Sequence, residues 1–229
     1  MIRRVLAIAG GIALAASLAA CAPDTASETG TGGADASADL PTGTIGAAHF
    51  DEFALVAGDG DIRVAAYVDP SCPHCADFEA EVGDTIAELV EDGTITYAVH
   101  PMNFLDRASD TAYSSRAGSA MTCVATEAPE ALLPMVAAVF ANQPSDAAGL
   151  DDPALSQLAA DAGAPGAADC IAANTYVDWV QASNDQALTG PIEGAEIERV
   201  EGTPTLLVDG APYTGAFDAD EVRAFITGN

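Results

Sequence analysis

Lysine is absent from this chain of 229 residues, and all seven basic residues are arginine. Against them stand 35 aspartates and glutamates, so the formal net charge is −28. A surface this acidic repels the phosphates of nucleic acids and of anionic lipids. We therefore expect no nucleic-acid partner. We interpret the acidic excess as a means of keeping the protein soluble, with a docking face for a basic partner as the alternative.

A second set of zinc ligands is also missing. The chain holds five cysteines and three histidines, and one pair of cysteines, Cys72 and Cys75, has the spacing of half a zinc site. A structural zinc site needs a second pair of ligands at matching spacing. The remaining cysteines and two of the histidines form no such pair: Cys21, Cys123, Cys170, His49 and His100. We therefore expect neither a metal site nor a bound cofactor.

The apolar run near the start, Val5 to Leu18, is too short to span a bilayer. It follows Arg3 and Arg4, and this combination over residues 1–20 is typical of a secretory signal peptide. We therefore expect an exported protein, in a compartment where disulfides persist.

The signal ends in Leu18-Ala19-Ala20-Cys21, which resembles a bacterial lipobox. In a lipobox the cysteine becomes the lipidated first residue, so Cys21 is predicted to anchor the protein to the cell membrane. Ordinary cleavage next to the small residues around Cys21 is the alternative. Residues 21–47 are rich in alanine, glycine, serine, threonine and aspartate and are interpreted as a flexible tether.

The most informative stretch is Asp69-Pro70-Ser71-Cys72-Pro73-His74-Cys75. Cys72 is predicted to cap a helix, with Pro73 at the first helical position, where a missing N–H costs nothing. The helix N-terminus then favours the thiolate of Cys72, and His74 can add positive charge nearby. Cys75 lies one turn further on, within reach of a disulfide. The pair is interpreted as a reactive disulfide, with an inert structural disulfide as the alternative.

Residues 48–105 have the pattern of a strand–helix–strand unit. A first strand is predicted from Phe50 to Val56, a buried strand over residues 62–68, and a helix from Pro73 that ends at Gly93. A further strand follows over residues 94–99, parallel to the buried one. Glu79 lies one turn after Cys75 and either relays protons for the buried thiol or is merely exposed.

Residues 106–190 lack strand signals and are predicted to form an inserted helical module. Two of its helices begin near Ala108 and near Pro129, and a third has Asp152 as its predicted N-cap and Pro153 at its first position. A fourth runs from Ala167 to Leu188. The module contains Cys123 and Cys170, which we expect to form a structural disulfide because an exported protein seldom leaves two buried thiols unpaired. Two free buried cysteines are the alternative.

Residues 191–229 return to the α/β pattern. Gly202-Thr203-Pro204-Thr205 leads into a strand, and Asp209-Gly210 predicts a hairpin whose partner strand covers residues 211–214. Asp218 is expected to cap a last helix. Proline is unusual at the start of a strand, and a cis Thr203–Pro204 bond would explain it.

Taken together, the CPHC motif, the helical insertion and the later Gly-Thr-Pro-Thr before a hairpin and helix resemble the DsbA-like thiol-disulfide oxidoreductases of the thioredoxin superfamily. The resemblance covers about residues 50–229. It implies an α/β thioredoxin fold with an inserted helical module, Cys72 as the exposed nucleophile and Cys75 as its buried partner. It also implies a cis-proline at Pro204 beside the disulfide, with Thr203 tuning potential and substrate choice, and it strengthens the relay role of Glu79.

The function that the resemblance implies is oxidation of cysteine pairs in exported proteins outside the cytoplasm. A membrane-bound partner would reoxidise the enzyme, which is expected to be a monomer. A reductase or isomerase of exported thiols is the alternative within the enzymes. A lipid-tethered holdase or binding protein with an incidental CxxC is the alternative from another class.

Overall fold

A seven-stranded mixed sheet runs through residues 40–229, the part of the chain that the computed structural model describes. The strands are β1 (Thr44–Ile45), β2 (Ala48–His49), β3 (Ala54–Ala57), β4 (Ile62–Val68), β5 (Ile95–Pro101), β6 (Thr205–Val208) and β7 (Ala211–Pro212). Their spatial order is β1-β2-β3-β5-β4-β6-β7. The predicted signal peptide and Cys21 lie outside the described residues.

The two central strands are parallel and in register from Ile62 opposite Ile95 to Val68 opposite Pro101. Helix α1 (Pro73–Glu91) connects them, so the predicted strand–helix–strand unit is confirmed. All other strand pairs are antiparallel. Since α1 starts where β4 ends, residues 69–72 lie at the carboxyl end of the central strand.

Helix α1 packs on the sheet through one apolar stripe. Its buried side chains include Phe78, Val82, Ile86 and Leu89, spaced by three or four residues as a helical face requires. Burying each contributes roughly 1.5–3 kcal/mol. Gly93 follows the helix with a φ of +75°, a left-handed conformation that suits glycine at a helix end.

Five helices form the module between β5 and β6: α2 (Tyr113–Glu127), α3 (Leu132–Ala141), α4 (Asp152–Asp161), α5 (Ala168–Ala172) and α6 (Val177–Thr189). Short 3-10 turns cover Phe104–Ala108, Pro129–Ala131 and Pro165–Ala167. Helix α2 is buried over most of its length and lies at the centre of the module. The sulfur atoms of Cys123 in α2 and Cys170 in α5 are joined in a disulfide, with the two Cα atoms 5.9 Å apart.

Two predictions for the module were wrong in detail. The single helix predicted from Ala167 to Leu188 is interrupted between α5 and α6, where Asn174 has a φ of +52°. The Asn174 side chain donates to the Asp152 carboxylate at 3.0 Å, which stabilises the break. The cap of α4 is Asp151 rather than Asp152, because the Asp151 carboxylate accepts from the Ala154 N–H at 2.9 Å.

The first predicted strand also begins later than expected. Phe50 lies in a 3-10 turn (Phe50–Glu52), and the strand starts at Ala54. The Phe50 ring packs edge-on against Trp179 at 5.6 Å, and the Trp179 indole N–H donates to the Phe50 carbonyl at 3.0 Å. This tertiary contact replaces a strand pairing at Phe50.

The folded part of the chain includes residues before 48, where we expected it to start. Strand β1 already belongs to the sheet, and the N–H of the buried Ala47 donates to the Ala125 carbonyl at 2.7 Å. Within residues 40–229, no helix combines the length and the apolar character that crossing a membrane requires.

The chain ends in a hairpin and helix α7 (Ala219–Thr227). Asp209 and Gly210 both have positive φ, 47° and 87°, which is the conformation of a tight type I′ hairpin turn. The Asp218 carboxylate caps α7 by accepting from the N–H groups of Asp220 and Glu221. The partner strand β7 is shorter than predicted and ends at Pro212.

Candidate active site

Cys72 lies at the junction between the central strand and α1. It is the N-cap of the helix in an extended conformation (φ −79°, ψ 117°), and Pro73 follows at the first helical position. The Cys72 N–H donates to the Asp69 carbonyl at 2.9 Å, and the Cys75 N–H donates to the Cys72 carbonyl at 3.0 Å. The thiol of Cys72 is therefore held beside the N-terminus of α1, where the helix dipole and nearby amides favour negative charge.

Hydrogen bonds lower the pKa of Cys72 from 9.0 to about 5. The largest contribution comes from the Cys75 side chain; Thr203 and the backbone amides of Cys75 and His74 add to it and outweigh the opposing effect of burial. Cys72 is only 5% exposed, less open than the resemblance implied, but its thiolate is favoured at neutral pH.

Cys75 behaves in the opposite way. It is fully buried, and burial together with the adjacent Cys72 raises its pKa far above the ordinary value. Cys72 and Cys75 are not joined in a disulfide. The pair thus carries one thiolate and one thiol, the arrangement expected of a nucleophile and its resolving partner.

The His74 side chain lies at the surface of the site. Its imidazole is 82% exposed, and Nδ1 lies 3.6 Å from Oδ2 of Asp77. The group of His74 that lowers the pKa of Cys72 is its backbone N–H. Any residue other than proline could supply that amide, so this contribution does not depend on the imidazole.

Thr203 and Pro204 lie directly opposite Cys72, and the peptide bond between them is cis. The Cys72 thiol donates to the Thr203 carbonyl, with Sγ 3.4 Å from the oxygen. Within residues 40–229, the buried Oγ1 of Thr203 has no hydrogen-bond partner, so its O–H is available to a thiolate. Beside Pro204 a surface groove of about 430 Å³ runs past Gly202, Pro212 and Tyr213.

Glu79 lies below the disulfide pair, one helical turn after Cys75. Burial, and to a lesser extent the charge of Asp84, raise its pKa from 4.5 to about 7. It lines a cavity of about 630 Å³ between α1 and α3. A Cβ atom on Gly83 would lie 2.7 Å from Glu79 Oε1, so the glycine leaves room for this carboxylate.

Tyr97 on β5 is a site residue that the sequence interpretation missed. It lines the same cavity as Glu79. Burial raises its pKa well above 10.0, and the charges of Glu79 and Cys75 raise it further. The alternation of buried and part-exposed residues along β5 was the signal that could have placed Tyr97 beneath α1.

Three further polar residues were missed because they come from distant parts of the chain. Asp69 is fully buried and accepts from Ser114 in α2, while Gln143 donates to the backbone on either side of Ser71. Burial raises the pKa of Asp69 to about 6 although its hydrogen bonds act in the other direction. Among the described residues, no group of three or more His, Cys, Asp and Glu side chains is placed to hold a metal ion.

A family model described as Thioredoxin matches residues 56–227. A search of curated proteins returned no match.

Solved structures with similar folds include two proteins from Mycobacterium tuberculosis. One is the reduced form of the disulfide bond oxidoreductase DsbG, with 29% identity, a TM-score of 0.64, and coverage of 77% of this chain and 88% of that one. The other is oxidised DsbA, with 29% identity, a TM-score of 0.63, and coverage of 77% and 93%. The thiol-disulfide oxidoreductase MdbA from Corynebacterium diphtheriae has the same fold, with 20% identity, a TM-score of 0.65, and coverage of 85% and 99%.

Proposed function

Since the chain belongs to the thioredoxin family and is a thiol-disulfide oxidoreductase with a DsbA-like fold, we propose that it oxidises cysteine pairs of exported proteins outside the cytoplasm. The observation that carries this proposal is the contrast within the CPHC motif. The pKa of Cys72 is lowered to about 5, whereas that of the buried Cys75 is raised. Because a stabilised thiolate makes the reduced form more stable, the disulfide form is a strong oxidant.

The proposed reaction has two exchange steps. A substrate thiolate bonds to the sulfur of Cys72, the Cys72–Cys75 bond breaks, and Cys75 leaves as a thiolate. A second substrate thiolate then bonds to the first substrate sulfur, and Cys72 leaves as a thiolate. The substrate loses two electrons, which the enzyme gains and a membrane-bound partner removes in restoring the disulfide.

Three residues support these steps. Glu79, with its pKa raised to about 7, is the proposed proton donor to the departing Cys75. The backbone amide of His74 stabilises the Cys72 thiolate. The side chain of Thr203 lowers the pKa of Cys72, so it tunes the stability of that thiolate, while the Thr203 carbonyl accepts from the thiol form.

Substrates are proposed to bind as extended peptides beside Pro204. The groove there is lined by Gly202, Thr205 and Tyr213, among other residues. Main-chain groups at such a strand end can pair with an extended peptide without selecting its side chains. This suits an enzyme that acts on many exported proteins.

The redox potential tests the proposed direction of electron flow. Equilibration of the Cys72–Cys75 pair with glutathione should give a potential closer to that of DsbA, about −120 mV, than to that of thioredoxin, about −270 mV. A potential near the thioredoxin value would favour the alternative, a reductase of exported thiols.

We also propose that a lipid on Cys21 holds the enzyme at the membrane, as a monomer on a tether. Replacing Cys21 with alanine should release the protein from the membrane fraction of expressing cells. Cys72→Ser is the matched control, since it removes a cysteine without touching the lipobox and should leave the protein membrane-bound. Retention of the Cys21→Ala variant would refute the anchor.

A further inference from the structure

The loop that carries Cys72 is held by residues of the inserted helical module. On one side the contact is made through Asp69, which follows β4 directly and is fully buried. Burying a carboxylate is unfavourable unless donors satisfy it. This carboxylate has three of them.

The three donors come from three separate segments. The Ser71 N–H donates to Oδ1 at 2.9 Å, the Leu105 N–H donates to Oδ2 at 3.0 Å, and the Ser114 hydroxyl donates to Oδ1. Ser71 belongs to the nucleophile loop, Leu105 to the 3-10 turn after β5, and Ser114 to the first turn of α2. One carboxylate therefore joins the loop to the sheet and to the module.

A second contact reinforces the first. Oγ of Ser71 lies 2.7 Å from Oγ of Ser114. Since the single hydroxyl proton of Ser114 is donated to Asp69, Ser71 must be the donor in this pair. Ser114 therefore contacts both the side chain of Ser71 and the carboxylate that holds its backbone.

The opposite side of the loop is held by Gln143, which follows α3. Its Nε2 donates to the carbonyl of Pro70 and to the carbonyl of Cys72, both at 2.9 Å. Both donor positions of one amide are thus used on the residues that flank Ser71. Asp69 and Gln143 together restrain the backbone of residues 70–72.

This restraint acts on the atoms that make Cys72 reactive. The Cys72 N–H donates to the Asp69 carbonyl at 2.9 Å. The pKa of Cys72 depends on short contacts with Cys75, Thr203 and the amides at the start of α1. A change in the loop backbone would move the sulfur away from all of them at once.

We propose that Asp69, Ser114 and Gln143 are positioning residues, through which the helical module holds Cys72 against the N-terminus of α1 and so keeps its thiolate stable. The module therefore contributes to the reactivity of the enzyme and not only to the bulk of its fold. The inference rests on the proposed function only in taking Cys72 as the nucleophile, and it holds for either direction of electron flow.

The test measures how fast Cys72 is alkylated by iodoacetamide as a function of pH in the reduced full-length protein. The variants are Asp69→Asn, Ser114→Ala and Gln143→Met, each of which removes the charge or the donor with little change in volume. We expect the midpoint of the profile to rise by about one pH unit in Asp69→Asn, which lowers the rate at pH 5 by about fivefold. Ser114→Ala and Gln143→Met should give smaller shifts in the same direction.

Thr122→Val is the matched control within the same module. The Thr122 hydroxyl is buried in α2 and donates only to the Gly118 carbonyl at 2.9 Å, away from the loop. This variant should lower the melting temperature without moving the alkylation midpoint. If the variants at Asp69, Ser114 and Gln143 behave like this control, the contacts are merely structural and the proposal fails.

Failure of the positioning role and failure of the proposed function give different results in this experiment. Should Asp69→Asn not fold, the midpoints of Ser114→Ala and Gln143→Met decide the question. A wild-type midpoint near the ordinary cysteine pKa would instead refute the nucleophile assigned in the proposed function. It would do so whatever the variants show.

Discussion

The two cysteine pairs of this protein differ in every respect that decides what a cysteine pair does. Cys72 and Cys75 are three residues apart at a helix N-terminus, with opposite pKa shifts. Cys123 and Cys170 are 47 residues apart and join two helices of the module. A closely spaced pair constrains the unfolded chain very little, whereas a long loop constrains it strongly. Spacing and location in the fold, rather than the thiol itself, therefore separate a reactive cysteine pair from a structural one.

Replacing the nucleophile should have the largest effect on activity. Cys72→Ser should reduce oxidation of a reduced test protein to the uncatalysed rate, because no other described thiol has a lowered pKa. Its melting temperature should stay close to that of the reduced wild type. Folding assistance that survived this change intact would instead favour the holdase alternative.

Removing the structural pair, Cys123 and Cys170, should lower the stability of the protein and leave its activity intact. The double variant Cys123→Ala with Cys170→Ala should lose about 2–4 kcal/mol of unfolding free energy, since its unfolded chain is no longer cross-linked. Its oxidation rate should remain near that of the wild type at temperatures where it is folded. Denaturant titration measures the first quantity, and the rate at which a reduced test protein is oxidised measures the second. A large loss of activity in the folded variant would contradict the division of roles.

Two variants of Cys75 test whether its hydrogen bond lowers the pKa of Cys72. The Cys75 side chain makes the largest contribution to the low pKa of Cys72. Cys75→Ala removes that hydrogen bond and should raise the pKa of Cys72 by one unit or more, about a tenfold change. Cys75→Ser keeps a donor at the same position and should give a smaller shift. Absorbance of the thiolate at acidic pH follows both titrations, and equal values for the two variants would rule out the hydrogen bond as the cause.

Replacing Glu79 is expected to give the smallest of these effects. Its effect on the stability of the protein depends on pH. Its folded pKa is raised from 4.5 to about 7, so the folded protein binds this proton more tightly than the unfolded chain does. The ionised carboxylate therefore destabilises the fold fully above pH 7, and the penalty disappears as pH falls from about 7 to about 4.5. Glu79→Gln should stabilise the protein at pH 8 and have little effect at pH 4.

The same variant tests the relay. Release of Cys75 from the disulfide should slow by a few-fold in Glu79→Gln at pH 6, where the wild-type carboxyl is mostly protonated. Glu88→Gln, on the exposed face of the same helix, is the matched control and should leave the rate unchanged. If both variants react as fast as the wild type throughout the pH range, Glu79 is not the proton donor.

Much of the fold was predictable because its signals are local. The N-cap and first-turn proline at Cys72-Pro73, the apolar stripe of α1 and the Asp209-Gly210 turn each depend on a few neighbouring residues. The thioredoxin fold with a helical insertion is confirmed, as is the thiol-disulfide oxidoreductase activity. Where prediction failed, as at Phe50 and Asn174, a contact with a distant residue outweighed the local preference.

The residues of the candidate site also fall into those that local sequence signals indicated and those that only the structure brings together. Cys72, Cys75 and Glu79 were proposed from the sequence because they lie three and four residues apart at the start of one helix. Asp69, Ser114 and Gln143 were not, since 45 residues separate Asp69 from Ser114 and 71 separate Cys72 from Gln143. Hydrogen-bond donors and acceptors that far apart carry no periodic signal.

The sequence alone, then, was enough to predict the class of fold and to propose which residues carry the redox chemistry, because helix capping and apolar periodicity are short-range effects. Only the tertiary structure decided how stable the Cys72 thiolate is. That stability depends most on the hydrogen bond from Cys75, is opposed by burial, and is increased by the side chain of Thr203. The loop that holds the thiol is braced by the inserted module. Desolvation and hydrogen bonding between distant segments arise only when the chain is folded.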